Sequence, residues 1–365
     1  MRSAILITYP NEYTIKEAIA LAESADYNVL KIVTQKYLTR SKYGIGKGKV
    51  DEIKVMVDEL NADAIIFDEV IGPSQVYNLT SEVKKEIIDR ERLILDIFNK
   101  RAKSEESSIQ VKLAELRYEI TRAREKVRLS KKGEQPGFYG LGRYEVDDYY
   151  RDIKRRISIL EKKLDKVKKR RELYRYHRKK EGLPNISLAG YTSAGKTTLF
   201  NALTNENRDT NEKIFTTLAT HTSALQLEHG KALISDTVGF ISKLPAYMIE
   251  AFKSTLDELI YADLILLVID LSDDIREILK KYDSCIDILN ELNINQNKIL
   301  YVYNKIELVN EEELYDKINM LNIDNYVTIS AKKYINIDLL LSKIDKMIFK
   351  DLVINGKNNC TKIRT

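Results

Sequence analysis

The 365-residue sequence has no tryptophan, two cysteines, three histidines and five prolines. Cys285 and Cys360 are too few for a disulfide framework and lack metal-ligand spacing, so reduced thiols in a cytoplasmic protein are expected. His177, His221 and His229 are scattered and suggest no metal cluster. No apolar run approaches the roughly 20 residues of a membrane helix; the longest of interest, residues 264–269, is strand-sized. The start, Met1-Arg2-Ser3 followed by the strand-like Ala4-Ile5-Leu6-Ile7, is too short for a signal peptide, so no membrane partner is expected.

Charge, by contrast, is plentiful: 32% of residues are charged and 44% are hydrophobic, as in a soluble protein of two or three domains. The net charge of +5 is unevenly spread. Residues 100–180 hold 27 Lys and Arg against 13 Asp and Glu, a local balance of +14 that leaves the remainder at −9. A basic middle in an otherwise acidic chain points to a polyanionic partner, with nucleic acid the leading candidate.

Four regions are expected. Residues 1–90 alternate strand-like segments (4–8, 29–33, 64–67) with helical ones (15–24, 50–60), which predicts a small α/β layer. Within it, Gly44-Ile45-Gly46-Lys47-Gly48-Lys49 reads as a turn into a helix, with a basic contact to RNA as the alternative. Residues 91–181 carry two heptad seams: Ile109, Leu113, Leu116, Ile120, Ala123 and Val127, then Ile153, Ile157, Leu160, Leu164 and Val167. Between them residues 133–144 hold four glycines and Pro136, which cannot continue a helix. The expectation is an antiparallel helical hairpin with Phe138, Tyr139 and Tyr144 at its tip. There they would stack on unpaired RNA bases or pack on the hairpin's own base. Residues 182–350 change to βα alternation, with strands expected at 186–190, 223–228, 231–235, 264–269, 299–303 and 326–330. That is a doubly wound, mixed nucleotide-binding sheet. Residues 351–365 form a polar tail.

The octapeptide Gly190-Tyr191-Thr192-Ser193-Ala194-Gly195-Lys196-Thr197 fits the G-x-x-x-x-G-K-[ST] phosphate loop without a mismatch. The strand-like Ile186-Ser187-Leu188-Ala189 precedes it, and a helix beginning Thr198-Leu199-Phe200 follows. Backbone N–H groups and a helix N-terminus would face the β- and γ-phosphates. Lys196 would reach those phosphates, and the Thr197 hydroxyl would ligate Mg²⁺. Four further elements follow in order. Thr216-Thr217 precedes the second strand, and Thr217 would complete Mg²⁺ coordination and sense the γ-phosphate. Asp236-Thr237-Val238-Gly239 offers Asp236 to the Mg²⁺ shell and the Gly239 amide to the γ-phosphate. Asn304-Lys305-Ile306-Glu307 and Ser330-Ala331-Lys332 would hold the base. Five such elements, all but Thr216-Thr217 at the carboxyl ends of strands, mark a GTPase using GTP, GDP and Mg²⁺.

Two residues depart from the usual GTPase pattern. Glu307 replaces the customary aspartate that accepts guanine N1–H and N2–H, which predicts guanine preference with some relaxation toward adenine. Phe240 stands where a water-orienting glutamine is common, which predicts slow intrinsic hydrolysis accelerated by a partner.

The chain resembles the HflX family of translation-factor-class GTPases over most of its length. The resemblance rests on Tyr43-Gly44-Ile45-Gly46-Lys47-Gly48-Lys49-Val50, Gly72-Pro73-Ser74-Gln75 with Asn78-Leu79, and Asp89-Arg90 leading to Ile94-Leu95-Asp96-Ile97-Phe98. Gln110-Val111-Lys112-Leu113-Ala114-Glu115-Leu116 and Asp236-Thr237-Val238-Gly239-Phe240 complete it. It implies cytoplasmic GTP hydrolysis, binding to the large ribosomal subunit through the N-terminal domain and hairpin, and splitting or rescue of stalled ribosomes. Phe240 is then the family's hydrophobic residue. The loop Gly140-Leu141-Gly142-Arg143-Tyr144-Glu145-Val146-Asp147 departs from the family's Gly-Pro-Gly-Glu-Thr-Gln-Leu-Glu, and no extra C-terminal domain is expected. A monomer is expected. Competing readings are a GTPase of ribosome assembly or RNA modification, and a nucleotide-switched coiled-coil scaffold without RNA contact.

Overall fold

The computed structural model describes residues 1–38, 42–130, 141–180, 182–206, 214–215 and 220–349, with side chains left aside at 123–130, 141–147, 174–175, 177–179 and 253–255. Residues 133–140 of the expected hairpin tip, Thr216, Thr217 and the tail 351–365 lie outside the described residues. The chain divides into two compact units, one built from residues 1–167 with 245–252, the other from 168–244 with the residues from 253 on.

The first unit begins β1 (Arg2–Thr8), α1 (Glu12–Ser24), β2 (Tyr27–Thr34), α2 (Lys47–Leu60), β3 (Ala64–Phe67), α3 (Pro73–Val83) and β4 (Glu86–Asp89). The strands pair in the order β2-β1-β3-β4, all parallel. Residues 4–8 and all of β3 are buried without alternation, as expected where helices cover both faces of a parallel sheet. The glycine-rich segment before α2 is a helix entry. Gly46 is the N-cap, its N–H donating to Gln35 Oε1 at 3.1 Å, and Lys49 pairs with Glu52.

Three helices follow: α4 (Arg90–Arg101), α5 (Glu105–Ser130) and α6 (Leu141–Lys180). The break between α4 and α5 is set by Ser104 and Ser107, whose hydroxyls each accept the other's backbone N–H at 3.1 Å, a reciprocal cap. Arg117 to Glu161 and Glu119 to Tyr149 join α5 and α6 in antiparallel order. Ile109, Leu113 and Leu116 of the first seam are buried, and α5 also packs on α3 and α4. The seam therefore serves more than the hairpin, because an apolar stripe buries itself against whichever faces are present. Beneath it lies a buried polar cluster. Arg122 donates to Asp89 Oδ2 at 2.5 Å, to Glu91 at 3.2 Å and to the Ile71 carbonyl at 2.9 Å, while Arg90 pairs with Asp68 and Glu17. Burial pushes the Asp89 carboxyl above its usual range against the pull of Arg122.

The second unit holds β5 (Asn185–Gly190), α7 (Lys196–Thr204), β6 (His221–Gln226), β7 (Lys231–Asp236), α9 (Lys253–Ile260), β8 (Leu264–Asp270), α10 (Ile275–Glu291), β9 (Ile299–Asn304), α11 (Glu311–Leu321), β10 (Tyr326–Thr328) and α12 (Ile337–Ile348). Its sheet order is β10-β9-β8-β5-β7-β6, parallel except for β6. This is the mixed, doubly wound sheet expected from the βα alternation. Strands that follow β5 in the chain are added first on its β7 side and then on its β8 side, so its carboxyl end lies at the topological switch point where such sheets bind ligands. Between β7 and α9 the short helix α8 (Ala246–Ala251) belongs to the first unit. There Glu250 pairs with Arg117 at 2.6 Å and Phe252 meets Phe98 edge-on at 4.7 Å.

Candidate functional site

The residues expected to bind a nucleotide gather at the carboxyl ends of β5, β7, β9 and β10, with Thr217 alone outside the described residues. Gly190 ends β5, and Tyr191, Thr192, Ser193, Ala194 and Gly195 form the turn into α7, with Ser193 exposed at φ +62° and Gly195 at φ +92°. A side chain on Gly195 would lie 2.3 Å from Asn304 Nδ2, so only glycine fits. Lys196, Thr197 and the half-buried Thr198 occupy the first turn of α7, whose N-terminal amides point back into the loop.

Lys196 is buried and folds over the loop, its ammonium donating to the carbonyls of Gly190 at 3.0 Å and Tyr191 at 2.7 Å. Burial lowers its pKa to about 8, partly countered by Asp236. A buried cation whose hydrogen bonds go to neutral carbonyls is poorly compensated. The γ-phosphate side of a nucleotide would supply the missing negative charge. Thr197 Oγ1 donates to Asp236 Oδ2 at 2.9 Å, so the two hard oxygen donors expected around Mg²⁺ already face each other.

The segment after Asp236 is laid against the phosphate loop like an added strand. The Phe240 N–H donates to the Gly190 carbonyl at 3.0 Å, the Thr192 N–H donates to the Phe240 carbonyl at 2.7 Å, and the Ser242 N–H donates to the Tyr191 hydroxyl at 2.8 Å. Gly239 sits where a side chain would come within 2.9 Å of Lys196 Nζ and 3.1 Å of Thr192 Cα. Phe240 itself is buried, so its ring anchors this segment in the core.

Asn304, at the end of β9, joins three loops. Its amide donates to the Ala194 carbonyl at 2.9 Å and its carbonyl oxygen accepts the Ala331 N–H at 3.0 Å. Lys305, with φ +67°, is ion-paired with Asp270. Glu307 lies in the 3₁₀ turn Ile306–Leu308, with Oε2 buried and accepting no hydrogen bond from the described residues. Ser330 and Ala331 are buried and Lys332 is exposed, in a loop closed by reciprocal Ser330–Ile335 backbone bonds of 3.2 and 3.1 Å.

Several contributors carried no sequence signal. Asp270 pairs with Lys305 and receives the Ser272 hydroxyl at 2.6 Å. The buried Cys285 thiol, its pKa pushed up to about 12 by burial, accepts a hydrogen bond from the Tyr191 backbone. Lys281 lies 5.4 Å from the centroid of the Tyr191 ring. Away from the loop, Glu228, His229 and Asp345 bring three ligand atoms within 4.8 Å of one another. His229 already occupies both Asp345 oxygens, through its backbone N–H at 3.0 Å and its ring at 2.5 Å, so the trio reads as a clamp on the turn between β6 and β7. No described helix is long and apolar enough to cross a membrane.

Three family models match the chain in succession: a GTP-binding GTPase N-terminal region over residues 12–99, a GTP-binding GTPase middle region over 101–178, and a 50S ribosome-binding GTPase over 185–305. The GTPase HflX of Methanocaldococcus jannaschii is 45% identical over 333 residues, covering 91% of this chain and 82% of that protein. That of Thermococcus kodakarensis is 39% identical, covering 90% and 76%. Among solved structures, a GTP-binding protein from Sulfolobus solfataricus in complex with GDP is 29% identical with a TM-score of 0.52, covering 96% of this chain and 99% of that one. With its phosphate loop, its Asp236–Gly239 segment and its Asn304 tether in one crevice, and with matches over nine-tenths of its length, the chain belongs to the HflX family of GTPases.

Proposed function

We propose that the protein is a ribosome-associated GTPase that binds the large subunit and splits or rescues stalled ribosomes. In this reading Gly190 to Thr198 cradle the phosphates and Lys196 neutralises the β- and γ-oxygens. Thr197, Thr217 and Asp236 would hold Mg²⁺, which would offset charge on the phosphates, and the Gly239 amide would meet the γ-phosphate. Asn304, Lys305, Glu307, Ser330, Ala331 and Lys332 hold the base. The observation that carries the nucleotide assignment is the buried Lys196 ammonium, hydrogen-bonded to neutral carbonyls and facing Asp236 across the loop.

The ribosomal part of the reading has separate support. The matched family model is described as a 50S ribosome-binding GTPase. On α6, Lys154, Arg155, Arg156, Lys162, Lys163 and Lys166 are exposed, a cationic face suited to rRNA phosphates. Residues 1–90 and 91–181 would then form the RNA-contacting part, 182–350 the GTPase domain and 351–365 a tail, in a cytoplasmic monomer. The test is sedimentation with ribosomes in the presence of a non-hydrolysable GTP analogue. Wild type is expected to travel with large subunits and raise the free-subunit fraction. Lys196→Ala and deletion of 133–144 are each expected to lose this effect. Wild-type protein remaining at the top of the gradient, or meeting only precursor particles, would overturn the proposal.

A further inference from the structure

Glu307 stands where a carboxylate would read guanine, on a stem one methylene, about 1.5 Å, longer than aspartate. The surrounding backbone has little freedom to retreat by that distance. Asn304 is tied to Ala194 at 2.9 Å and to Ala331 at 3.0 Å. The Ile306 N–H donates to the Ile329 carbonyl at 3.3 Å, the Leu308 N–H to the Lys305 carbonyl at 3.0 Å, and the Val309 N–H to the Ile306 carbonyl at 3.2 Å. Lys305 is held by Asp270. The extra length must therefore be taken up by the side chain. Accordingly, Glu307 as a whole is half-buried while its Oε2 is buried and accepts no hydrogen bond from the described residues.

We infer that Glu307 offers the purine one carboxylate oxygen instead of two, so that the site selects for a donor at N1 and is nearly blind to the 2-amino group. The inference rests on the proposal that this crevice holds a purine nucleoside triphosphate. Guanine and hypoxanthine share N1–H and the 6-oxo group and differ only in the 2-amino group. Adenine presents an acceptor at N1, which meets the carboxylate lone pair to lone pair and leaves a charged acceptor unpaired. The relaxation introduced by glutamate thus runs toward hypoxanthine, and adenine stays behind both.

The test is competition of GTP, ITP and ATP, each with Mg²⁺, against a fluorescent GDP on the full-length chain. Wild type is expected to bind GTP and ITP within about threefold of each other, with ATP weaker by about a hundredfold or more. Glu307→Asp, checked for folding by its melting curve, is expected to restore two-point reading and widen the GTP over ITP preference to about tenfold. The wild-type ratio decides the question even if that variant fails to fold. Wild-type preference for GTP over ITP by tenfold or more, an unchanged ratio in folded Glu307→Asp, or ATP binding as tight as GTP would each overturn the inference. If none of the three nucleotides binds, the nucleotide assignment falls, and the inference with it.

Discussion

The buried ammonium of Lys196 costs the nucleotide-free protein stability, and that cost can be titrated. Burial lowers its folded pKa to about 8, against about 10.4 for an exposed lysine. A lysine with a depressed folded pKa costs stability wherever it is protonated in the unfolded chain. The cost is full below pH 8 and fades as pH rises toward the unfolded value, because between those limits the unfolded state binds more protons. At about 1.4 kcal/mol per unit, the cost at pH 7 is about 3 kcal/mol, of which about 2 is recovered by pH 9.5. The perturbation is Lys196→Met, which keeps length and removes the charge. The assay is urea unfolding of nucleotide-free protein from pH 7 to 9.5. Relative to the variant, wild type should gain about 2 kcal/mol over that range, whatever the constant difference from the lost bonds to Gly190 and Tyr191. Parallel pH profiles would refute the claim that this ammonium is buried and under-compensated. The same group predicts that GTP binding at pH 8 takes up about half a proton, measured by calorimetry in buffers of different ionisation enthalpy.

Asn304→Ala should weaken GTP binding by about a hundredfold and cost about 2–4 kcal/mol by urea unfolding. It strands the buried Ala331 N–H and Ala194 carbonyl, each worth about 1–3 kcal/mol. Phe240→Gln should not raise the hydrolysis rate, since this side chain is buried in the core; it should lower stability by about 3 kcal/mol, and a faster single-turnover rate would contradict that. Replacing Lys162, Lys163 and Lys166 on α6 with glutamate should weaken ribosome binding and flatten its salt dependence, read as the slope of log K against log salt concentration.

The phosphate loop could be read from the sequence because its chemistry is local. Gly195, Lys196 and Thr197 must be consecutive for a turn to become a helix N-terminus, and the apolar runs around them mark the flanking strand and helix. The strand ends at Asp236 and Asn304 were legible for the same reason. Partners far apart in the chain were not. Nothing local pairs Arg122 with Asp89, 33 residues earlier, or sets Cys285 beneath Tyr191. The four-residue β4 is too short to show a period, and the break between α4 and α5 is made by two serine hydroxyls that leave the heptad count undisturbed. The glycines of Gly44–Lys49 announced a helix entry, and Gly46 stands at the N-cap of α2.

The most direct test of a GTPase that awaits the ribosome is its turnover of GTP with and without purified large subunits. With Phe240 buried and no glutamine in its place, the isolated protein should hydrolyse GTP slowly, and large subunits should accelerate it at least about tenfold. The acceleration should vanish in Lys196→Ala. A fast rate from the isolated protein, or a rate indifferent to large subunits, would contradict a GTPase completed by its ribosomal partner.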